Sequence, residues 1–556
     1  MTQTIEQCGM RPLKGRISRA LEPAQKVFRF GLLGLGLLVW GGGLFAAEPA
    51  AAPAQVDASA MVVIAPAGAP KDQADPTGAN NGNIGDITAA KPGAPTVAEV
   101  AAEVGHTKVA LNMLWVLLAG ALVYLMQAGF AMVETGFTRA KSAAHTMGMN
   151  FLVYPVASLA FWAVGFGIMF GGVGAIPALG GFSMLNHEVS ISLFGKTFGL
   201  FGMKGFFLAG ASYHVGLLVF FMFQTVFMDT TATIPTGGMA ERWNFKAFIL
   251  VSIAVGAFLY PVYGNWVWGG GWLATLGANF GLGHGHLDFA GSSVVHMAGG
   301  MLSLVGAKFV GPRVGKYDKD GNPVAIPGHN LPMAVIGTMI LAFGWFGFNP
   351  GSTLAATDMR TPIVAVNTML ASLTGAAMAT AWMWLVRTGK PDLGMMCNGM
   401  LAGLVAITAP CAFVSPVGAA IIGLVSGVLV VEACYFIEGP LKIDDPVGSV
   451  AVHGVNGAWG CLALGLFADG TYGDGLNGVT GCVRGLFYGG GLSQLGAQTI
   501  GVITNVLWFV PAGLFVYWLV DKAVGMRSKI EDEVHGLDVP EMGSKAYPTE
   551  NTSLLG

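Results

Sequence analysis

Charge is the scarcest feature of this 556-residue chain: Asp, Glu, Lys and Arg together make up 11% of it. Soluble domains carry about 25%, so the bulk of the chain cannot face water. The small net charge of −3 excludes a strongly basic nucleic-acid binder. Cysteine is sparse too. None of the six (Cys8, Cys397, Cys411, Cys434, Cys461, Cys482) forms a CxxC pair, and most lie in apolar stretches, where they read as small buried residues. Cys461 and Cys482 are candidates to pair only if both approach the outer face. No haem-attachment or nucleophile motif occurs, so no enzyme and no cofactor are expected. What abounds is apolar: 53% hydrophobic residues, 84 glycines and a mean hydropathy of +0.62. Glycine at this level suits membrane helices, which approach closely through small residues.

Residues 1–47 read as a signal peptide. Arg11, Lys14, Arg16, Arg19, Lys26 and Arg29 form a long basic start, and an apolar run from Phe30 to Phe45 leads to Ala46 and Ala47. Phe45 is a poor fit to a cleavage site, so an uncleaved anchor is the alternative. Residues 48–108, rich in Ala, Pro and Gly, read as a flexible external spacer. From 109 to 520 the sequence predicts eleven transmembrane helices, at 109–133, 144–171, 212–238, 247–264, 289–309, 331–349, 362–386, 393–409, 417–436, 447–468 and 494–520. Lys and Arg gather after the odd-numbered spans, as at Arg139, Arg242, Arg313, Arg387 and Arg527. That bias predicts the N-terminus outside and the C-terminus, with the tail 521–556, in the cytoplasm.

An internal repeat marks the centre. Asp288 to His296 and Asp445 to His453 both read D-x-x-G-S-x-x-V-H. They lie five spans apart, so they run in opposite directions through the membrane. This predicts two inverted five-helix halves plus one extra helix, with the site near the midplane where the halves meet. Each aspartate is expected to cap a helix N-terminus, with its histidine two turns deeper. A lone membrane histidine is more often a satisfied interhelical hydrogen bond. Two at matched repeat positions point instead to a shared function. Too few further ligands match their depth for a metal.

The motifs then become specific. Gly344-Trp-Phe-Gly-Phe-Asn-Pro-Gly-Ser352, Val267-Trp268-Gly-Gly-Gly271, His329-Asn-Leu-Pro332, Met239-Ala-Glu-Arg242, Asp444-Asp-Pro446 and the two histidine segments resemble the Amt/Rh/Mep ammonium transporter family, bacterial Amt type, over roughly residues 110–550. The resemblance implies an all-α integral membrane protein of the bacterial inner membrane, assembled as a homotrimer with one pore per protomer. It implies substrate recruitment at Phe227, Trp268 and Ser352 with Asp288 nearby, a gate of Phe227 and Phe348, and a pore lined by His296, His453 and Trp345. The substrate would be ammonium or ammonia, with methylammonium as an analogue. The tail would couple the protomers and offer a dock to a cytoplasmic PII-type signalling protein.

Two acids depart from the family pattern. Glu134 stands where many bacterial members carry an aromatic residue, and is read as paired with a neighbouring helix or reaching an inner vestibule. Asp229, two positions after Phe227, would point away from the gate. Three readings compete: an ammonium transporter, an ammonium sensor, and a membrane enzyme or haem protein using the two histidines. Within transport, electrogenic carriage and passive conduction of ammonia both remain open.

Overall fold

Several helix starts in this chain are set by polar residues placed ahead of apolar runs. The computed structural model describes residues 89–91, 94–182 and 184–547. The signal peptide expected over 1–47 and most of the spacer lie outside the described residues. The first helix, α1, runs Val97–Phe137. Thr96 and Glu99 form a reciprocal cap at its start, so the helix begins well ahead of the expected boundary at 109 and takes in the end of the spacer. Asn244, Asn330, Asp392 and Ser415 cap later helices, each side chain accepting from the third helical N–H.

The remaining helices are α2 (Ala140–Phe170), α3 (Val215–Gly238), α4 (Phe245–Trp268), α5 (Ser292–Val310), α6 (Leu331–Thr353), α7 (Thr361–Trp382), α8 (Leu393–Ile407), α9 (Pro416–Glu438), α10 (Val450–Phe467) and α11 (Ser493–Val524). Ten of the described helices are long and apolar enough to cross a membrane. The eighth expected span, α8, has 15 residues. At 1.5 Å per residue it reaches about 22 Å, short of the roughly 30 Å hydrocarbon core.

These helices belong to one unit, the described parts of Ala74–Met383 and Lys390–Gly556; of a second unit, the described residues are Trp384–Gly389. Within the first unit α1 lies along α6, α3 packs on α5 as α8 packs on α10, and α5 crosses α10. Two inverted halves require this pairing. The crossing depends on glycine: a Cβ on Gly300 would lie 2.2 Å from the Gly454 nitrogen. Gly403 is equally confined, with the Ala371 carbonyl 2.1 Å from its would-be Cβ.

Among the described residues, one hairpin departs from the expected all-helical chain. Between α2 and α3, β1 (Glu188–Leu193) and β2 (Lys196–Gly202) form an antiparallel hairpin. Phe194 and Gly195 both have positive φ, 54° and 72°, as a two-residue hairpin turn requires. Cys461 is buried, Cys482 is exposed and both are free, so the conditional pairing does not occur.

The tail is ordered through two short helices, α12 (Ile530–His535) and α13 (Asp538–Met542). Lys141 donates to the Glu533 and Val534 carbonyls, and Glu533 pairs with Arg527. Asp538 and Glu541 accept from the His145 and Phe245 backbone. Beside the tail, Arg313 grips Asp444 through Nε and Nη2 and Glu241 through Nη1. Burial would raise the Asp444 carboxyl, but Arg242 and Arg313 outweigh it and hold it well below the usual carboxylate range.

A ring column between two capped half-repeats

The repeated segments fold alike. Gly291 and Gly448, the matched glycines, adopt positive φ of 117° and 79°, a turn that a side chain would strain. The aspartate before each turn then faces the new helix N-terminus. Asp288 Oδ1 accepts from the Gly291 and Ser292 nitrogens at 2.9 and 2.7 Å, and Oδ2 from Ser293 and Val294 at 2.7 and 2.9 Å. Asp445 accepts from Ser449 and Val450 at 3.0 and 2.8 Å. The capping expectation therefore holds in the structure.

The expected depth of the histidines does not hold. Asp-x-x-Gly is a cap loop and not helix, and each helix opens with a π-helical turn, Ser292–Met297 and Val450–Val455. His296 and His453 thus sit in the first turn. Wide turns of this kind recur at functional sites because they re-aim side chains.

Here they bring the two imidazoles together. His296 Nδ1 and His453 Nδ1 are 3.2 Å apart and both residues are buried. A neutral ring offers one donor and one acceptor. One Nδ1 therefore carries a hydrogen and the other receives it, and the pair shares a single proton along the contact. His296 Nε2 is buried with no hydrogen-bond partner.

Aromatic rings extend the pair into a column. His296 stacks on Trp345 at 5.0 Å and on Phe348 at 5.4 Å. Phe348 stacks on Phe227 at 4.0 Å, and Phe227 meets Trp268 edge-on at 6.0 Å. Phe227 and Phe348 are fully buried, whereas Trp268 and Ser352 are half-buried. Ser352 donates to the Phe348 carbonyl at 2.8 Å, which leaves its oxygen lone pairs free to accept. Trp345 is fixed by a 2.9 Å hydrogen bond to Thr408, and Trp268 by one of 2.6 Å to the Asp288 carbonyl.

Asp288 stands beside Trp268, next to the expected recruitment set. Its backbone holds Trp268, but the carboxylate is turned into the helix cap and is fully buried. His286 and Cys461 approach it within 4.8 Å. With the carboxylate already saturated, that group offers too few free donors for the four ligands of a structural zinc. Asp229 is buried, with Oδ1 unpartnered.

On the far side of the histidines lies a small cavity of about 20 Å³, lined by Phe130, Glu134, Asn398, Ser449 and His453 among others. Phe130 lies 5.9 Å from the His453 ring. Sequence reading missed Phe130, Asn398 and Ser449. Phe130 stands four residues before Glu134, one turn along the same face of α1, and that spacing was the available signal.

Comparison with known proteins agrees along most of the chain. The family model described as Ammonium Transporter Family matches residues 114–547. Ammonium transporter Amt2 of Archaeoglobus fulgidus is 46% identical over 440 residues, which is 79% of this chain and 88% of the relative. Among solved structures, one titled Sensor Amt Protein is similar with a TM-score of 0.67 and 37% identity, covering 78% of this chain and 99% of that one. Mep2 of Candida albicans is similar with a TM-score of 0.63 and 26% identity, covering 76% of this chain and 87% of that one.

Proposed function

The chain belongs to the ammonium transporter family, and from that premise we propose that it carries ammonium as ammonia plus a proton, electrogenically, along the column from Trp268 to His453. It works as a transporter and not as an enzyme. The observation that carries this reading is the 3.2 Å contact between His296 and His453 behind a closed aromatic stack.

Ammonium is attracted to the faces of Trp268 and Phe227 and donates to the free lone pairs of Ser352. A bare cation cannot enter the apolar column cheaply, since a charge in hydrocarbon costs several kcal/mol. It therefore loses its proton before the Phe227–Phe348 gate. Neutral ammonia passes beside the rings, and the proton moves separately through the shared histidine hydrogen. Net charge still crosses. Potassium, which has no proton to give up, is excluded.

In this proposal α8 completes eleven crossings in a bacterial inner membrane, with the N-terminus outside and the tail in the cytoplasm. Three chains assemble as a trimer, and the ordered tail is the candidate dock for a PII-type protein.

The test is current recording from reconstituted protein on a supported membrane, with ammonium and methylammonium pulses and potassium as competitor. His296→Asp and His453→Glu should restore a cation path and admit potassium. If both variants keep full selectivity, the histidines are pore walls and proton separation is wrong. Ammonium sensing is a second reading, favoured by the likeness to the structure titled Sensor Amt Protein. It predicts ammonium binding to the wild type without current.

A further inference from the structure

We propose, on the reading that the twin histidines pass a proton, that Glu134 is the next proton acceptor on the inner side: it takes the proton from His453 and returns it to ammonia. Glu134 and His453 line one cavity of about 20 Å³. That volume suits a single water, which needs two to four polar partners. Besides these two side chains, Ser449 and Asn398 border the same space.

The surroundings of the carboxylate fit a group that gains and loses a proton. Glu134 is almost fully buried at the inner end of α1. None of the ion pairs found among the described residues includes it. Its Oε2 accepts from Asn150 Nδ2 at 2.7 Å and contacts Thr236 Oγ1 at 2.7 Å. Asn150 is held in that orientation, because its Oδ1 takes the Thr233 hydroxyl and its Nδ2 also meets the Thr146 carbonyl.

Thr236 is the telling partner. Its hydroxyl lies 2.5 Å from the Thr233 carbonyl as well, and one hydroxyl hydrogen cannot serve both acceptors. When Glu134 is ionised, Thr236 donates to it. When Glu134 is protonated, its own hydrogen goes to Thr236 Oγ1, and Thr236 donates to Thr233. Both states are satisfied without moving a heavy atom.

The titratable groups facing Glu134 are His453 across the cavity and Asp445, whose carboxylate is held by Ser449 and Val450. The balance is closed. Ammonium gives ammonia and a proton outside; the neutral histidine pair takes up one proton at His296 Nε2, the hydrogen between the two Nδ1 atoms shifts to His453, and His453 is left protonated. Protonated His453 and the Glu134 carboxylate become neutral His453 and the Glu134 acid. The acid and arriving ammonia then become carboxylate and ammonium.

The experiment compares wild type with Glu134→Gln in proteoliposomes. It reads ammonium-evoked current over a range of pH and, in parallel, ammonia entry by an internal pH dye. Glutamine keeps the shape and accepts no proton. Current should fall about a hundredfold, as expected for loss of a positioned proton acceptor, while ammonia entry persists. Glu134→Asp should restore current with a displaced pH profile. If glutamine prevents folding, Thr236→Val replaces it and should displace the pH profile by itself. Absence of current in the wild type would remove the transport reading on which this rests. Wild-type current with an unchanged amplitude and pH profile in Glu134→Gln would overturn the role of Glu134 alone. So would loss of current and ammonia entry together in a folded variant.

Discussion

Replacing Asp288 by alanine should prevent the protein from accumulating in a folded form, rather than weaken its hold on ammonium. The carboxylate accepts four backbone N–H groups, from Gly291, Ser292, Ser293 and Val294, at a site with no exposure. Each buried donor left unsatisfied costs about 1–3 kcal/mol, so the four together cost about 4–12 kcal/mol. That is comparable with the whole stability of a typical domain, about 5–15 kcal/mol. Asparagine is the informative partner variant. Its single carbonyl oxygen keeps two of the four donors and turns an NH₂ toward the other two, for a cost of about 2–6 kcal/mol. The Ser293 hydroxyl, which also donates to Asp288, has His286 Nε2 at 2.9 Å as an alternative. The assay is size-exclusion of detergent-solubilised protein followed by its thermal midpoint. The expected order is wild type, then asparagine, then alanine. A monodisperse Asp288→Ala protein with an unchanged midpoint and a raised ammonium requirement would refute the reasoning and return Asp288 to the recruitment site.

On the hairpin, burial raises the Glu188 carboxyl to about 7, against a smaller lowering by Asn265. A carboxyl raised on folding favours the folded state below its ordinary pKa of about 4.3 and loses that advantage as pH climbs toward 7. Glu188→Gln should therefore raise the thermal midpoint at pH about 8 and leave it nearly unchanged at pH about 4. Asp444→Asn should destabilise the protein by up to about 3–5 kcal/mol, because buried Arg313 keeps Glu241 as its remaining anion and buried Arg242 loses a neighbouring negative charge; denaturation curves above pH about 5 will show it. The depressed Asp444 contributes fully there, and its contribution is lost only as pH falls through the strongly acidic range. Gly300→Ala should cost at least about 1–3 kcal/mol, since the new methyl meets the Gly454 nitrogen. It should also depress ammonium current by spreading α5 from α10.

The spans and their pairing were legible because apolar runs and charge bias act residue by residue along the chain. The meeting of His296 and His453 was legible for a different reason: the D-x-x-G-S-x-x-V-H repeat carries its own inversion. Their depth was misjudged because an Asp-x-x-Gly loop and a helix have the same spacing in one dimension. Only the positive φ of Gly291 and Gly448 separates them. The early start of α1 was readable from Thr96 and Glu99, but the surrounding Ala, Pro and Gly composition masked it. The hairpin at 188–202 was readable in its first strand, where Glu188 to Leu193 alternates polar and apolar residues, but not in its turn. Its turn rests on Phe194, a residue that seldom takes positive φ. The role proposed for Glu134 could not be read from α1, because the Thr236 hydroxyl that supports it is contributed by another helix.

Phe227 and Phe348, the gate of the proposed path, stack at 4.0 Å and are both fully buried. On that proposal each passage waits for a ring to swing aside and return, in a packed surrounding where such swings are rarer than at a surface. Flux should therefore level off as ammonium rises, with a ceiling set by how often the rings part and not by how often ammonium arrives. A transporter gated in this way would count its cargo through a turnstile, and its supply to the cell would stay steady when the outside concentration surges.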